Sequence, residues 1–89
     1  MLVALIAIDI PGALHFRLDT RDAHVAYLKA NACVSQAGPL LNEAGDMCGS
    51  LIVLDVTDMA AAEAFVAGDP YGHAGLFESV ELISWNKVI

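Results

Sequence analysis

The chain has few positive charges. Four Lys and Arg residues stand against eleven Asp and Glu in 89 residues, which gives a formal net charge of −7. Proteins that bind nucleic acids need clustered cations, because these replace the counterions on the phosphates. An anionic membrane surface attracts polybasic segments in a similar way. Four scattered cations therefore argue against nucleic acid and membrane as partners.

Cysteines are also scarce, and Cys33 and Cys48 form no CxxC or other metal-binding spacing. We interpret each as a small buried apolar residue, with a reactive thiol as the weaker alternative. The apolar run 1–8 is too short to cross a bilayer and lacks the basic start and cleavage site of a secretory signal. We therefore interpret this run as a buried strand. We expect the protein to lie in the cytoplasm, a compartment in which disulfides are rare.

Apolar residues, in contrast, are abundant: 57% of the chain is hydrophobic, and the mean hydropathy is +0.61. The length predicts one domain over residues 1–89, and a domain of this size buries a limited part of its surface. Because large contiguous apolar patches are unusual on monomers, we expect a second copy to cover the surplus, in a homodimer.

The pattern of apolar runs and turn residues predicts the order β-α-β-β-α-β. Strands are expected at 1–8, 33–37, 50–56 and 77–85, and helices at 21–32 and 59–67. Asp19 or Thr20 is the expected cap of the first helix, and Thr57 or Asp58 that of the second. The segments 12–19, 42–46 and 69–75 are expected loops, and Gly38-Pro39 is expected to end the second strand.

This order is that of the ferredoxin-like α+β fold, in which two helices cover one face of a four-stranded antiparallel sheet. The other face is left bare. Two bare faces can pack together as a dimeric α/β barrel, which would bury the surplus apolar residues.

Short motifs occur along nearly the whole chain in a definite order. They are Asp9-Ile10-Pro11, Arg17-Leu18, Arg21-Asp22-Ala23-His24, Ala37-Gly38-Pro39, Gly49-Ser50, Asp69-Pro70-Tyr71 and Lys87-Val88. Together they resemble the YCII-related (YciI-like) family of the dimeric α/β-barrel superfamily. The chain departs from that pattern by being shorter between His24 and Gly38 and between Pro39 and Gly49, so the substrate of a longer relative does not carry over. Asn86-Lys87 stands where the family usually has Lys-Lys.

The resemblance implies that His24 is paired with Asp69 in an active site. Imidazole titrates near neutrality and can exchange protons there, and a carboxylate beside its second nitrogen would fix the tautomer and stabilise the imidazolium. The residues alone leave open that His24 is an ordinary helix residue and Asp69 a turn residue. Two strands and a helix separate them, so only the fold can bring them together.

Charged residues supply three candidate substrate-binding positions. Asp9 is expected either to line the same pocket or to begin the turn before Pro11. Arg17 and Arg21 are expected either to orient an anionic substrate or phenolate or to pair with a surface acid such as Asp19 or Asp22.

Four uncharged residues complete the candidate substrate-binding set. Ser35 could donate a hydrogen bond into the pocket, although no nucleophile elbow surrounds it. Gly38 and Pro39 could let backbone approach a ligand, or simply end a strand. Tyr71 could close the pocket or pack at the dimer interface.

The resemblance favours a small enzyme that uses His24 and Asp69 for general acid/base chemistry on a small aromatic or phenolic molecule. The family includes a dehydrochlorinase of a chlorinated hydroxyquinol, so a lyase step in aromatic catabolism is the specific hypothesis, with an isomerase as its variant. We expect no cofactor, because proton transfer and elimination need none. We expect no metal, because the three histidines do not form a metal-binding pattern. The alternative is a non-enzymatic module that binds a small molecule or serves as an accessory protein.

Overall fold

The computed structural model describes all 89 residues, and its strands form one antiparallel sheet in the order β2-β3-β1-β4. The elements are β1 (Leu2–Asp9), α1 (Leu14–Ala30), β2 (Val34–Leu41), β3 (Met47–Asp55), α2 (Met59–Gly68), α3 (Pro70–His73) and β4 (Phe77–Trp85). The predicted ferredoxin-like α+β fold is confirmed. No helix has the length and apolar character that a membrane span requires.

The core lies between the helices and one face of the sheet. Alternate residues of β1 point toward the helices, so Val3, Leu5 and Ala7 are buried. Ile52 of β3 lies directly across from Leu5 in the register, and Phe65 of α2 packs against the same cluster. The central strand pair therefore supplies the surface on which the helices rest.

No element covers the opposite face of the sheet. The register places Ile8, Leu51, Ile83 and Trp85 on this face, where they remain 39%, 42%, 48% and 42% exposed. Part of the apolar surplus of the composition therefore lies on the bare face of the sheet.

Helix α1 begins at Leu14, so the prediction of a loop over 12–19 and of a cap at Asp19 or Thr20 is wrong. Its N-cap, Ala13, makes no side-chain capping hydrogen bond. The first turns are held instead by burial, because Ala13 and Arg17 both lie inside the protein. Because a buried arginine occupies the inner face of this helix, the spacing of apolar residues alone does not reveal its first turns.

Strand β2 continues through Gly38-Pro39 to Leu41, so the prediction that this pair ends the strand is wrong. Proline is tolerated because β2 lies at the sheet edge, where a missing N–H donor costs little. Its partner β3 also begins earlier than expected, at Met47. Within β3, a Cβ at Gly49 would overlap the carbonyl oxygen of Ala7, so only glycine allows this close approach of β1 and β3.

In the second half of the chain, the structure agrees more closely with the elements predicted from the sequence. Asp58 caps α2 by accepting a hydrogen bond from the Ala61 N–H at 2.9 Å, and β4 has the predicted bounds. The predicted loop 69–75 instead contains the short helix α3. Asp69 caps this helix and Pro70 occupies its first position, an arrangement that suits the fixed φ of proline.

Candidate active site

A buried hydrogen bond joins α1 to the junction between α2 and α3. His24 Nδ1 lies 2.8 Å from Asp69 Oδ1, and the two residues are only 5% and 2% exposed. The same carboxylate oxygen accepts the backbone N–H of Tyr71 at 2.9 Å. Asp69 thus orients the imidazole and begins α3 with one atom. The fold brings together the two residues that the resemblance pairs, and their catalytic role stays a prediction.

The contact also determines which imidazole nitrogen is available for chemistry. A carboxylate oxygen only accepts, so the hydrogen bond to Asp69 requires the proton on Nδ1 of His24. Nε2 of the neutral ring then carries a lone pair. It has no hydrogen-bond partner within the chain, and His24 lines a cavity. The arrangement can therefore accept a proton at Nε2 while Asp69 stabilises the resulting imidazolium.

A second buried cluster lies beside the first. Arg17 donates from Nε to Asp9 Oδ2 at 2.6 Å and from Nη2 to Asp9 Oδ1 at 2.9 Å, which forms a bidentate pair. Nη2 also lies 2.9 Å from Ser50 Oγ. Burial by itself lowers the pKa of Arg17, but the hydrogen bond and charge of Asp9 outweigh it and raise that pKa. The alternative in which Arg17 pairs with a surface acid such as Asp19 or Asp22 is wrong.

Tyr71 contacts both clusters. Its ring stacks on the His24 imidazole, with centroids 3.8 Å apart and planes 18° apart, and the Arg17 guanidinium carbon lies 4.5 Å from the Tyr71 centroid. Burial raises the pKa of the Tyr71 hydroxyl, and the opposing charges of Arg17 and Arg21 do not cancel this effect. The hydroxyl is therefore protonated at neutral pH. The Tyr71 ring lies against one face of the imidazole and fixes its plane, while Asp69 holds the Nδ1 edge of the same ring.

These groups meet at a cavity of about 250 Å³ between α1 and strands β2 and β3. Six of the predicted site residues line it, namely Arg17, Arg21, His24, Gly38, Pro39 and Tyr71. Asp9 and Asp69 lie behind the wall, each bonded to a lining residue. Val25, Leu28, Met47 and Ile52 supply much of the apolar lining. The cavity thus combines one imidazole that can exchange a proton with basic side chains and a partly apolar lining.

One predicted site residue lies elsewhere, and one lining residue was missed. Ser35 is exposed on β2 and does not line the cavity. The serine in the cavity wall is Ser50, directly across from Pro39 in the β2–β3 register. The Gly49-Ser50 motif was the signal that could have identified it. No group of three His, Cys, Asp or Glu side chains is placed to hold a metal ion.

Comparisons of sequence agree with the motifs. A model of the YCII-related domain family matches residues 1–86. The protein YciI of Escherichia coli is 32% identical over 97 aligned positions, which cover 99% of each chain. An uncharacterised protein of Haemophilus influenzae is 31% identical over 100 positions, again with 99% of each chain covered.

Comparisons of structure add a characterised enzyme. The 5-chloro-2-hydroxyhydroquinone dehydrochlorinase of Burkholderia phenoliruptrix, solved in complex with 2,5-dihydroxybenzoquinone, superposes with a TM-score of 0.88 at 33% identity, over 97% of this chain and 94% of that one. A protein of Pseudomonas aeruginosa superposes with a TM-score of 0.59 at 17% identity, over 99% and 93%. The second likeness concerns the fold alone.

The buried pair of Arg17 and Asp9 yields a stability prediction. We expect Arg17→Met to lower the free energy of unfolding by about 3–5 kcal/mol, because it leaves the Asp9 carboxylate buried without its partner. Urea unfolding measures the change.

The double variant Asp9→Leu/Arg17→Met should lower the free energy of unfolding by less than the sum of the two single changes, since it removes both charges. As a control, Arg21→Met at an exposed position should change stability by only about 0.5 kcal/mol or less. Additive costs in the double variant would show that the pair is not coupled.

Proposed function

The chain belongs to the YCII-related family, and on that premise we propose that it is a lyase that removes HCl from a small chlorinated and hydroxylated aromatic ring. The observation that carries the proposal is the buried contact of His24 with Asp69, which leaves Nε2 as a proton acceptor at the wall of a cavity. The likeness to a dehydrochlorinase that covers almost the full length of both chains supports the choice of reaction.

In the proposed reaction, His24 Nε2 removes the proton of a ring hydroxyl and returns it to the carbon that bears chlorine. The product is a keto tautomer of the ring. A second ring hydroxyl then loses its proton, its electron pair moves into the ring, and the C–Cl bond breaks with both electrons leaving on chloride. The ring loses one proton and one chloride in total and ends as a quinone. Because the ring is oxidised as the C–Cl bond is reduced, the step needs no external oxidant or cofactor.

Each neighbouring group has a defined part in this proposal. Asp69 stabilises the imidazolium that forms when His24 accepts the proton, as a buried carboxylate does in catalytic triads. Tyr71 holds the plane of the imidazole through the stacking contact. The apolar lining contributed by Val25, Leu28 and Ile52 suits an aromatic ring.

The proposal predicts that chloride release depends on His24. With 5-chloro-2-hydroxyhydroquinone as substrate, we expect His24→Gln to lower kcat by about 10²–10⁴, the usual contribution of a positioned general base. Asp69→Asn, which keeps an oxygen to cap α3, should lower kcat by at least about a hundredfold. Chloride release and quinone absorbance measure turnover, and circular dichroism checks the fold.

His15→Gln is the matched control, because His15 is exposed on the same helix and does not line the cavity. It should leave kcat unchanged. Turnover of His24→Gln at the wild-type rate would contradict the assignment of the base. A wild-type protein that releases no chloride from this or related chlorinated hydroquinones would contradict the enzymatic proposal and favour a binding module.

We also propose that the protein works as a homodimer joined through the bare face of the sheet. Leu51, Ile83 and Trp85 are large apolar residues that remain about half exposed on this face, and a partner sheet would bury them. Charge at the centre of the face should separate the copies, because an unpaired lysine is costly to bury.

Sedimentation velocity tests this arrangement. Leu51→Lys should convert a dimer to a monomer. Leu18→Lys should not, because Leu18 is equally large and is 53% exposed on α1, away from the sheet. A monomeric wild-type protein, or a Leu51→Lys variant that stays dimeric, would contradict the proposal.

A further inference from the structure

The cations of this chain are concentrated at one place. Three of its four Lys and Arg residues, Arg17, Arg21 and Lys29, line the cavity that holds His24, and all three lie on α1. None of the eleven acidic residues lines it. Although the chain has a net charge of −7, the charged side chains that border the cavity are therefore positive.

Two of these three charges are free to act on a ligand. The charge of Arg17 is taken up by the bidentate contact with Asp9. Arg21 and Lys29, in contrast, have no carboxylate within 4.0 Å, since the ion pairs of the chain involve Met1, Arg17 and His24. Both are exposed at the mouth rather than buried in its wall.

The helix sets the position of the two free charges relative to the proton acceptor. Arg21, Val25 and Lys29 follow one another at intervals of four residues, so they lie along one side of α1. His24 precedes Val25 directly and is buried beneath this side. The wall across the cavity is formed by Ala37, Gly38 and Pro39 and carries no charge. A ligand whose ring reaches His24 would thus keep its outer edge near Arg21 and Lys29.

We propose that the natural ligand of this cavity is a chlorinated, hydroxylated aromatic acid, whose ring carboxylate is bound by Arg21 and Lys29 while a ring hydroxyl faces His24. This assignment rests on the proposed function, because it names the class of substrate for the same cavity. The two cations are specificity residues in this account and take no part in proton transfer. Unpaired cations at the mouth of a cleft also raise the local concentration of an anionic ligand.

A pair of probes of nearly equal shape tests the assignment. The wild-type protein is titrated at neutral pH and constant ionic strength with 4-hydroxybenzoate and with neutral 4-hydroxybenzamide, and the amide NMR shifts of residues 37–38 and 50–52 report binding. We expect the benzoate to bind about tenfold more tightly than the benzamide, which is the sum of two modest charge interactions near a surface. The benzoate affinity should also fall as salt is added.

Substitutions show which residues cause the preference for the benzoate over the benzamide. The double variant Arg21→Gln/Lys29→Gln should lose the preference and bind the two probes with equal affinity. Lys87→Gln, the same change at the one cation that does not line the cavity, should bind both probes as the wild type does. Loss of the preference in Lys87→Gln would show that net charge alone is responsible and would overturn the assignment.

Three further results would overturn it. They are equal affinity of the wild type for the two probes, a preference that survives in the double variant, and no shift of the cavity amides with either probe. These outcomes are distinguishable from failure of the proposed function, which is judged by chloride release. A wild-type protein that dechlorinates a neutral hydroquinone but shows no carboxylate preference would retain the function and lose this ligand class.

Discussion

The hydrogen bond between His24 and Asp69 connects parts of the chain that are 45 residues apart in sequence. It fixes the position of α1 relative to the junction of α2 and α3, and it leaves one imidazole nitrogen for the cavity. The same carboxylate oxygen begins α3 by accepting the Tyr71 N–H, which holds the Tyr71 ring beside the imidazole. Loss of this one acceptor would therefore affect the helix, the aromatic stack and the proton acceptor together.

Polar residues occupy a large share of a small interior. Five of the 18 buried residues are polar or charged, namely Asp9, Arg17, His24, Ser50 and Asp69. Buried ion pairs are weak evidence of stability, because desolvation often offsets their attraction and apolar replacements of equal volume can be as stable. All five lie at or directly behind the wall of one cavity. Their placement around one cavity supports the proposal that they form a functional site.

The architecture could be predicted from the sequence because apolar runs and turn residues mark β1, β3 and β4. The last strand, over 77–85, and the cap at Asp58 follow directly from local signals. The start of α1 could not be predicted in this way, because its inner face carries Arg17 where a core helix usually carries an apolar residue. The continuation of β2 through Pro39 was missed because proline signals a break unless the strand is known to lie at an edge.

The site was only partly predictable, for a physical reason. The resemblance paired His24 with Asp69, but nothing local to Arg17 indicated that its partner would be Asp9 on the neighbouring strand. The Gly49-Ser50 motif pointed to Ser50, but the sequence did not show which side of the sheet Ser35 and Ser50 face. Ser50 lies across from the buried Ala7 in the register of β1 with β3, on the side that the helices cover. Ser35 lies in the bulge between Val34 and Gln36, where the pairing of β2 with β3 shifts.

The position of the proton on His24 decides whether the imidazole can act as a base through Nε2. Long-range ¹⁵N–¹H NMR of the histidine ring distinguishes the two neutral tautomers. We expect neutral His24 to carry its proton on Nδ1 and to have an unprotonated Nε2, and we expect Asp69→Asn to change this ring while the spectrum of His15 stays the same. A neutral His24 with its proton on Nε2 would contradict the proposed role of His24, because the nitrogen that does not contact Asp69 could then accept no proton.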